Sequence, residues 1–181
     1  MKSIYYLRYS GYGLFTCFYL ITSLIFGKIF FPMSRLIRLP YFIRVKGDIF
    51  LGRGFTSGRS LRIDVHKGAT LIISENVELN DNCQIACAHK ISIGINVLIA
   101  SKVFISDHDH DFKDEGNPKD WALSSREVRI ESGCWIGNNV SILKGVTLGA
   151  GCIVGAGSVV TKSFPSGSII AGVPAKLIKY R

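Results

Sequence analysis

The residues best suited to chemistry lie in one stretch, SDHDHDF at positions 106–112, where His108 and His110 alternate with Asp107, Asp109 and Asp111. Imidazole beside carboxylate suits proton transfer: neutral His accepts a proton from a hydroxyl, and a neighbouring carboxylate or carbonyl orients the ring. The same residue types could hold a metal. Alternation along one extended segment, however, sends both imidazoles to the same side. A third ligand would then come from elsewhere, with His89 as nominee. A solvated loop tip is the plain alternative, so the choice depends on what carries the stretch.

The carrier is repetitive. An aliphatic residue returns every sixth position through Ile130, Ile136, Ile142, Leu148, Val154 and Val160. Four positions after each of the first five stands a small or medium side chain: Cys134, Val140, Val146, Cys152, Ser158. The trios Ile73, Leu79, Ile85 and Ile93, Ile99, Ile105 repeat the pattern, and Leu51, Ser57, Ile63 repeats it more weakly. A period of six matches neither an α-helix nor a simple alternating strand. It matches short strands joined by tight Gly/Asn corners, three to a turn, each coil burying its aliphatic row on the next. The trios predict an all-β parallel β-helix of about five coils. The repeat breaks once. Ile105 and Ile130 are 25 positions apart where six would continue the pattern. A solenoid accepts insertions at its corners, so residues 106–129 are expected to project as a loop with both histidines at its root.

With 181 residues, 48% of them hydrophobic, the chain can build one domain plus an appendage. Residues 1–62 hold ten Lys/Arg against one acid, Asp48, and carry the whole net charge of +9. No recognised nucleic-acid module accompanies these basic residues, so no nucleic-acid partner is expected. Five cysteines without a C-x-x-C pair read as reduced, packed thiols, and a zinc site from Cys83, Cys87 and His89 lacks a fourth ligand. An uncharged run of nineteen residues, 9–27, lies between Arg8 and Lys28, at the threshold of a membrane span. It is read as a spanning helix, an interfacial helix, or a helix packed on a partner subunit. The cations Lys28, Arg35, Arg38, Arg44 and Lys46, interleaved with aromatic and aliphatic residues, suit a membrane surface contacted through residues 1–46. The chain thus divides into a basic, apolar helical segment, 1–44, and a β-helix domain, 45–181.

Over about residues 45–181 the sequence resembles the hexapeptide-repeat acyltransferases, most specifically at VRIESGCWIGNNVSILKGVTLGAGCIVGAGSVVTKSFPSGSIIAGVPAKLIK. That segment is similar to maltose, galactoside and nodulation-factor O-acetyltransferases and to those of colanic acid, capsule and O-antigen clusters. The resemblance implies a left-handed parallel β-helix, a hand opposite to the usual crossover rule. It implies acetyl-CoA as co-substrate, no metal, and a homotrimer with sites between subunits. In the family's motif the catalytic histidine falls eleven residues after the aliphatic residue opening the preceding hexad. Counting from Ile99 lands on His110, the expected general base, with His108 as a support or acceptor contact. Trp135, outward-facing, and Asn80 match acceptor-binding residues; a left-handed solenoid corner is the alternative role for Asn80. Gly155 and Ala156 match the pantetheine groove, Thr161 and Lys162 the nucleotide end, and Lys179 a phosphate contact. For these, a plain corner and a solvated face are the alternatives.

The expected function is therefore acetyl transfer from acetyl-CoA to a sugar hydroxyl of a cell-envelope polysaccharide or its precursor. It would occur in the bacterial cytoplasm, at the inner face of the membrane. Two other classes remain open: a zinc-dependent, carbonic-anhydrase-like β-helix enzyme, and a non-catalytic scaffold of an envelope-assembly complex.

Overall fold

The aliphatic rows point inward and stack. In a computed structural model, which describes residues 13–112 and 116–181, Ile130, Ile136, Ile142, Leu148, Val154 and Val160 are all sealed from solvent. Three faces surround them. The first runs in parallel from Leu36–Ile37 through Thr56–Ser57, Glu78–Leu79, Leu98–Ile99, Trp135–Ile136 and Ile153–Val154 to Ser168–Gly172. The second stacks Tyr41–Val45, Leu61–Val65, Gln84–Cys87, Phe104–Ser106, Ser141–Ile142 and Val159–Val160. The third stacks Asp48–Leu51, Thr70–Ile73, Lys90–Ile93, Val128–Ile130 and Thr147–Leu148. The fold is the expected β-solenoid, with about seven turns in place of about five.

The two uncounted turns are the end ones, through Leu36–Ile37 and Tyr41–Val45 below and through Phe164 and Ser168–Gly172 above, and the period itself holds better in the upper coils than in the lower. Ile136 pairs with Val154 and Ile142 with Val160, eighteen residues on, as a strict hexad requires. Lower in the stack Leu51 pairs with Ile73, twenty-two residues on, because the corners there hold extra residues. The lowest coil also replaces aliphatic hexads with aromatic and charged residues, and its ladder begins at Leu36.

Corners set the spacing between coils. Asn76, Asn82, Asn96 and Asn139 turn the chain with φ of 55–60°, the left-handed region that Asn tolerates better than most residues. Gly137 is required for a different reason. A Cβ there would lie 2.7 Å from both the Ala156 N and the Val154 O of the next coil.

Both ends of the stack are closed. At the lower end Phe31 packs on the core and meets Tyr41 edge-on at 6.0 Å. At the upper end Phe164 is buried, and Ala175–Tyr180 folds back antiparallel on Ser168–Gly172. Among the described residues one helix, α1 (Leu14–Phe30), covers part of the first face. It buries Ser23 and Gly27 toward the solenoid; the Ser23 Oγ accepts the Leu39 N–H at 3.2 Å, and the Tyr19 hydroxyl donates to the Leu39 carbonyl. Its other side leaves Leu14, Phe15, Phe18 and Ile21 largely exposed. No helix among the described residues is long and apolar enough to cross a membrane. Residues 9–12 of the apolar run, like 113–115 of the inserted loop, lie outside the described residues.

Candidate active site

The second face ends at Ser106, and the chain leaves the solenoid there. His108–His110 pairs antiparallel with Leu123–Ser125, so the insertion departs and returns as a hairpin at the edge between the second and third faces. At its root Asp107 turns inward and is fully buried. Its Oδ1 accepts the Ala88 N–H at 2.8 Å and lies 2.8 Å from the His108 Nδ1; its Oδ2 accepts the His89 N–H at 2.8 Å. Burial alone would push this carboxyl up, but the N–H groups of Ala88 and His89 and the imidazole of His108 together hold it below the usual carboxylate range. The ionised Asp107 thus fixes the His108 ring with Nδ1–H as donor, leaving Nε2 able to accept a proton. The His108 side chain is 14% exposed.

His110 is placed differently. It is exposed, with Nδ1 3.3 Å from the Trp121 carbonyl oxygen. It lines a cavity of about 370 Å³ with Asp109, Arg126 and Lys144, and Lys144 bridges Asp109 and the Ser124 hydroxyl. Those contacts hold the hairpin against the coil above.

Five of the other expected residues fall on two edges. Asn80, half-buried, sits at the edge between the first and second faces. Asn80, Ala100, Gly137 and Gly155 each donate their backbone N–H to the coil above, so they stack along that edge. Asn80 and the Gly155–Ala156 corner are therefore three coil steps apart, about 14 Å. Trp135 stands outward on the first face, half exposed. Thr161 and Lys162 lie on the same edge as His108, higher in the stack, with the Lys162 ammonium 5.7 Å from the Phe164 ring. Lys179 is exposed on the closing antiparallel strand, opposite Ile169. One chain does not bring His108 to Asn80.

Against known proteins, the model of the bacterial transferase hexapeptide (six repeats) matches residues 127–162. The "Putative lipopolysaccharide biosynthesis O-acetyl transferase WbbJ" of Escherichia coli (strain K12) is 40% identical over 176 residues, covering 93% of this chain and 90% of that protein. The chain belongs to the hexapeptide-repeat transferase family. A maltose O-acetyltransferase from Clostridium difficile 630 superposes with a TM-score of 0.66 at 32% identity, over 72% of this chain and 68% of that one. A galactoside acetyltransferase in complex with coenzyme A gives 0.55 at 35% identity, over 61% and 55%.

In this hexapeptide-repeat transferase the dyad carries a neighbour that the motif does not announce. His66, at the same edge in a lower coil, places its ring 5.3 Å from that of His108, tilted by 53°. The signal was positional: His66 directly follows Val65, as Asp107 directly follows Ser106, at the end of second-face strands that share the neighbour Gln84–Cys87 between them. Cys87 also touches the dyad, its Sγ 3.5 Å from the Asp107 Oδ2. Burial and the Asp107 charge push that thiol up to about 12, so it stays protonated and is no nucleophile. Cys83, Cys87, Cys134 and Cys152 are buried and free. Among the described residues no three His, Cys, Asp or Glu side chains converge as metal ligands.

Proposed function

We infer that this acetyl-CoA-dependent acetyltransferase acylates a sugar hydroxyl of a cell-envelope polysaccharide or its precursor, with His108 as general base. The observation that carries the reading is the Asp107–His108 pair, a buried, ionised carboxylate orienting an accessible imidazole at the root of the family's inserted loop. The motif spacing favours His110, but its exposure and its contact with a backbone carbonyl give it no comparable orientation. His110 is read as a lining residue of the adjoining cavity.

The acceptor hydroxyl gives its proton to the His108 Nε2 as its oxygen attacks the thioester carbonyl carbon. Asp107 stabilises the imidazolium that results. A backbone N–H meets the oxyanion, the C–S bond breaks, and the imidazolium returns the proton to sulfur. An acetyl ester and the free thiol of coenzyme A leave. The small residues along the Asn80–Gly155 edge leave room for the pantetheine arm beside Gly155 and Ala156. Thr161, Lys162 and Lys179 are the candidates for the nucleotide end, and Asn80 and Trp135 for the sugar.

Asn80 and His108 occupy different edges, so a complete site needs a second copy, and a homotrimer is the assembly inferred. The exposed apolar side of α1, with Lys28, Arg35 and Arg38 nearby, suits an anionic membrane surface at the cytoplasmic side. The test is release of thiol from acetyl-CoA with a panel of envelope sugars, for wild type, His108→Ala and His110→Ala. Acceptor-dependent release abolished in His108→Ala and kept in His110→Ala is the expected result. The reverse pattern would return the base to His110, and no release with any acceptor would remove the acetyl-transfer reading.

A further inference from the structure

Between α1 and the first face lie two cavities that the transfer scheme leaves unused. One, of about 360 Å³, is lined mainly by Leu20, Ile21, Leu24 and Leu36, with Arg35, Arg38 and Glu78 among its polar residues. The other, of about 460 Å³, is lined by Tyr19, Leu20, Arg38, Arg59, Asn80 and Ser101 among others. Leu20 and Arg38 line both, so the two adjoin beneath the helix: apolar toward its C-terminal half, polar toward its N-terminal half.

Charge is distributed unevenly along this groove. Arg35 faces Glu78 at 3.8 Å and Arg59 faces Asp81 at 3.9 Å. Arg38, half-buried where the two parts meet, pairs with no carboxylate among the described residues; its guanidinium reaches only the Ser57 carbonyl, at 3.5 Å. A guanidinium without a carboxylate partner, between an apolar and a polar cavity, suits a phosphate that carries a hydrocarbon chain on one side and a hydroxyl-rich group on the other. The polar part includes Asn80, on the edge that leads through Ala100 and Gly137 to Gly155. The apolar part opens on the outer side of the helix, since Ile21 and Leu24 both line it and remain exposed.

We propose that this groove binds the acceptor as a lipid-linked glycosyl phosphate or diphosphate. The chain lies along Leu20, Ile21, Leu24 and Leu36, the phosphate sits at Arg38, and the glycan passes Asn80 toward the acetyl donor. An ordinary phospholipid would satisfy the first two contacts and leave the polar part, with Tyr19 and Asn80, unfilled. The proposal rests on the acetyltransferase reading for its purpose, but not for its binding.

Titration calorimetry of the full chain with farnesyl diphosphate, without acetyl-CoA, tests it. The expected result is saturable binding, with inorganic diphosphate at least about tenfold weaker. Arg38→Ala and the surface variant Leu24→Asn each weaken binding about tenfold with the melting temperature retained. Arg62→Ala, which removes the same charge from the second face, binds as wild type does. Equal affinity for inorganic diphosphate, or unaltered binding in both groove variants, overturns the proposal. So does adherence to phosphatidylglycerol-containing vesicles without farnesyl diphosphate binding, which would make the surface a general bilayer contact. Intact lipid diphosphate binding without thiol release from any acceptor would count against the proposed transfer and leave the groove standing.

Discussion

Replacing Asp107 with Asn changes no volume and no shape, so its effect isolates the charge and the hydrogen-bond pattern. Oδ1 faces two groups, the Ala88 N–H and the His108 Nδ1; Oδ2 faces the His89 N–H. An amide has one acceptor and one donor end. If the NH2 replaces Oδ2, it meets the His89 N–H donor to donor, leaving a buried N–H unpaired at a cost of about 1–3 kcal/mol. If it replaces Oδ1, it opposes the Ala88 N–H and presents a hydrogen to Nδ1, which moves the imidazole proton to Nε2 and removes the base. Either way no anion remains to stabilise the imidazolium. Loss of general-base assistance corresponds to a fall in kcat of about 10²–10⁴. The KM for acetyl-CoA should move little, because the groups assigned to that co-substrate lie coils away. Thiol-release kinetics give both constants, and urea unfolding gives the stability change. An undiminished kcat in a folded Asp107→Asn protein would refute the dyad as the source of the base, however close the two side chains lie.

The remaining predictions concern the scaffold. Ile136→Ala removes a side chain with no solvent exposure, in register with Ile99 below and Val154 above, and should cost about 2–5 kcal/mol in urea unfolding. Gly137→Ala forces a Cβ into the backbone of Ala156, and should cost about 1–3 kcal/mol and weaken coenzyme A binding measured by calorimetry. Acid should destabilise the fold through carboxylates held low, among them Asp64 and Asp107. The hydrogen bond from Arg44 leads in holding Asp64 low, whereas Asp107 is held low against the pull of burial by the N–H groups of Ala88 and His89 and by His108. A lowered folded pKa contributes stability fully above the unfolded carboxylate value of about 4 and loses it as pH falls through the folded value. Melting temperature followed downward from pH 6 should therefore drop below about pH 4, and drop less in Asp107→Asn.

Much of this molecule is legible in its sequence because period six leaves few alternatives. Each inward position from Ile130 to Val160 is named by counting, and each is buried. Counting fails where corners lengthen, as between Leu51 and Ile73, because an extra corner residue costs the core nothing while displacing the period. The loop root is legible as a place and not as an arrangement. Asp107, Asp109 and Asp111 are equivalent in the sequence, and only the inward turn at the end of the second face buries one of them against two backbone N–H groups. His66 and Arg38 escape local reading for a related reason. Their partners come from other coils or from α1, and no short motif encodes a meeting between segments that far apart in the chain.

A stack of parallel coils presents, at each end, a ring of strand edges able to accept another coil, and identical molecules offer identical rings. Unprotected, such ends would let molecules add head to tail without limit, a one-dimensional polymer with no closing step. Here Phe31 packs on the core at the lower end, and the reversed strand Ala175–Tyr180 occupies the first-face edge above with the wrong polarity for a further parallel coil. At the first face, addition of a further parallel coil above is thereby hindered. The homotrimer proposed above would use the flanks instead, where a closed ring of copies ends itself and would bring the edges assigned to chemistry face to face.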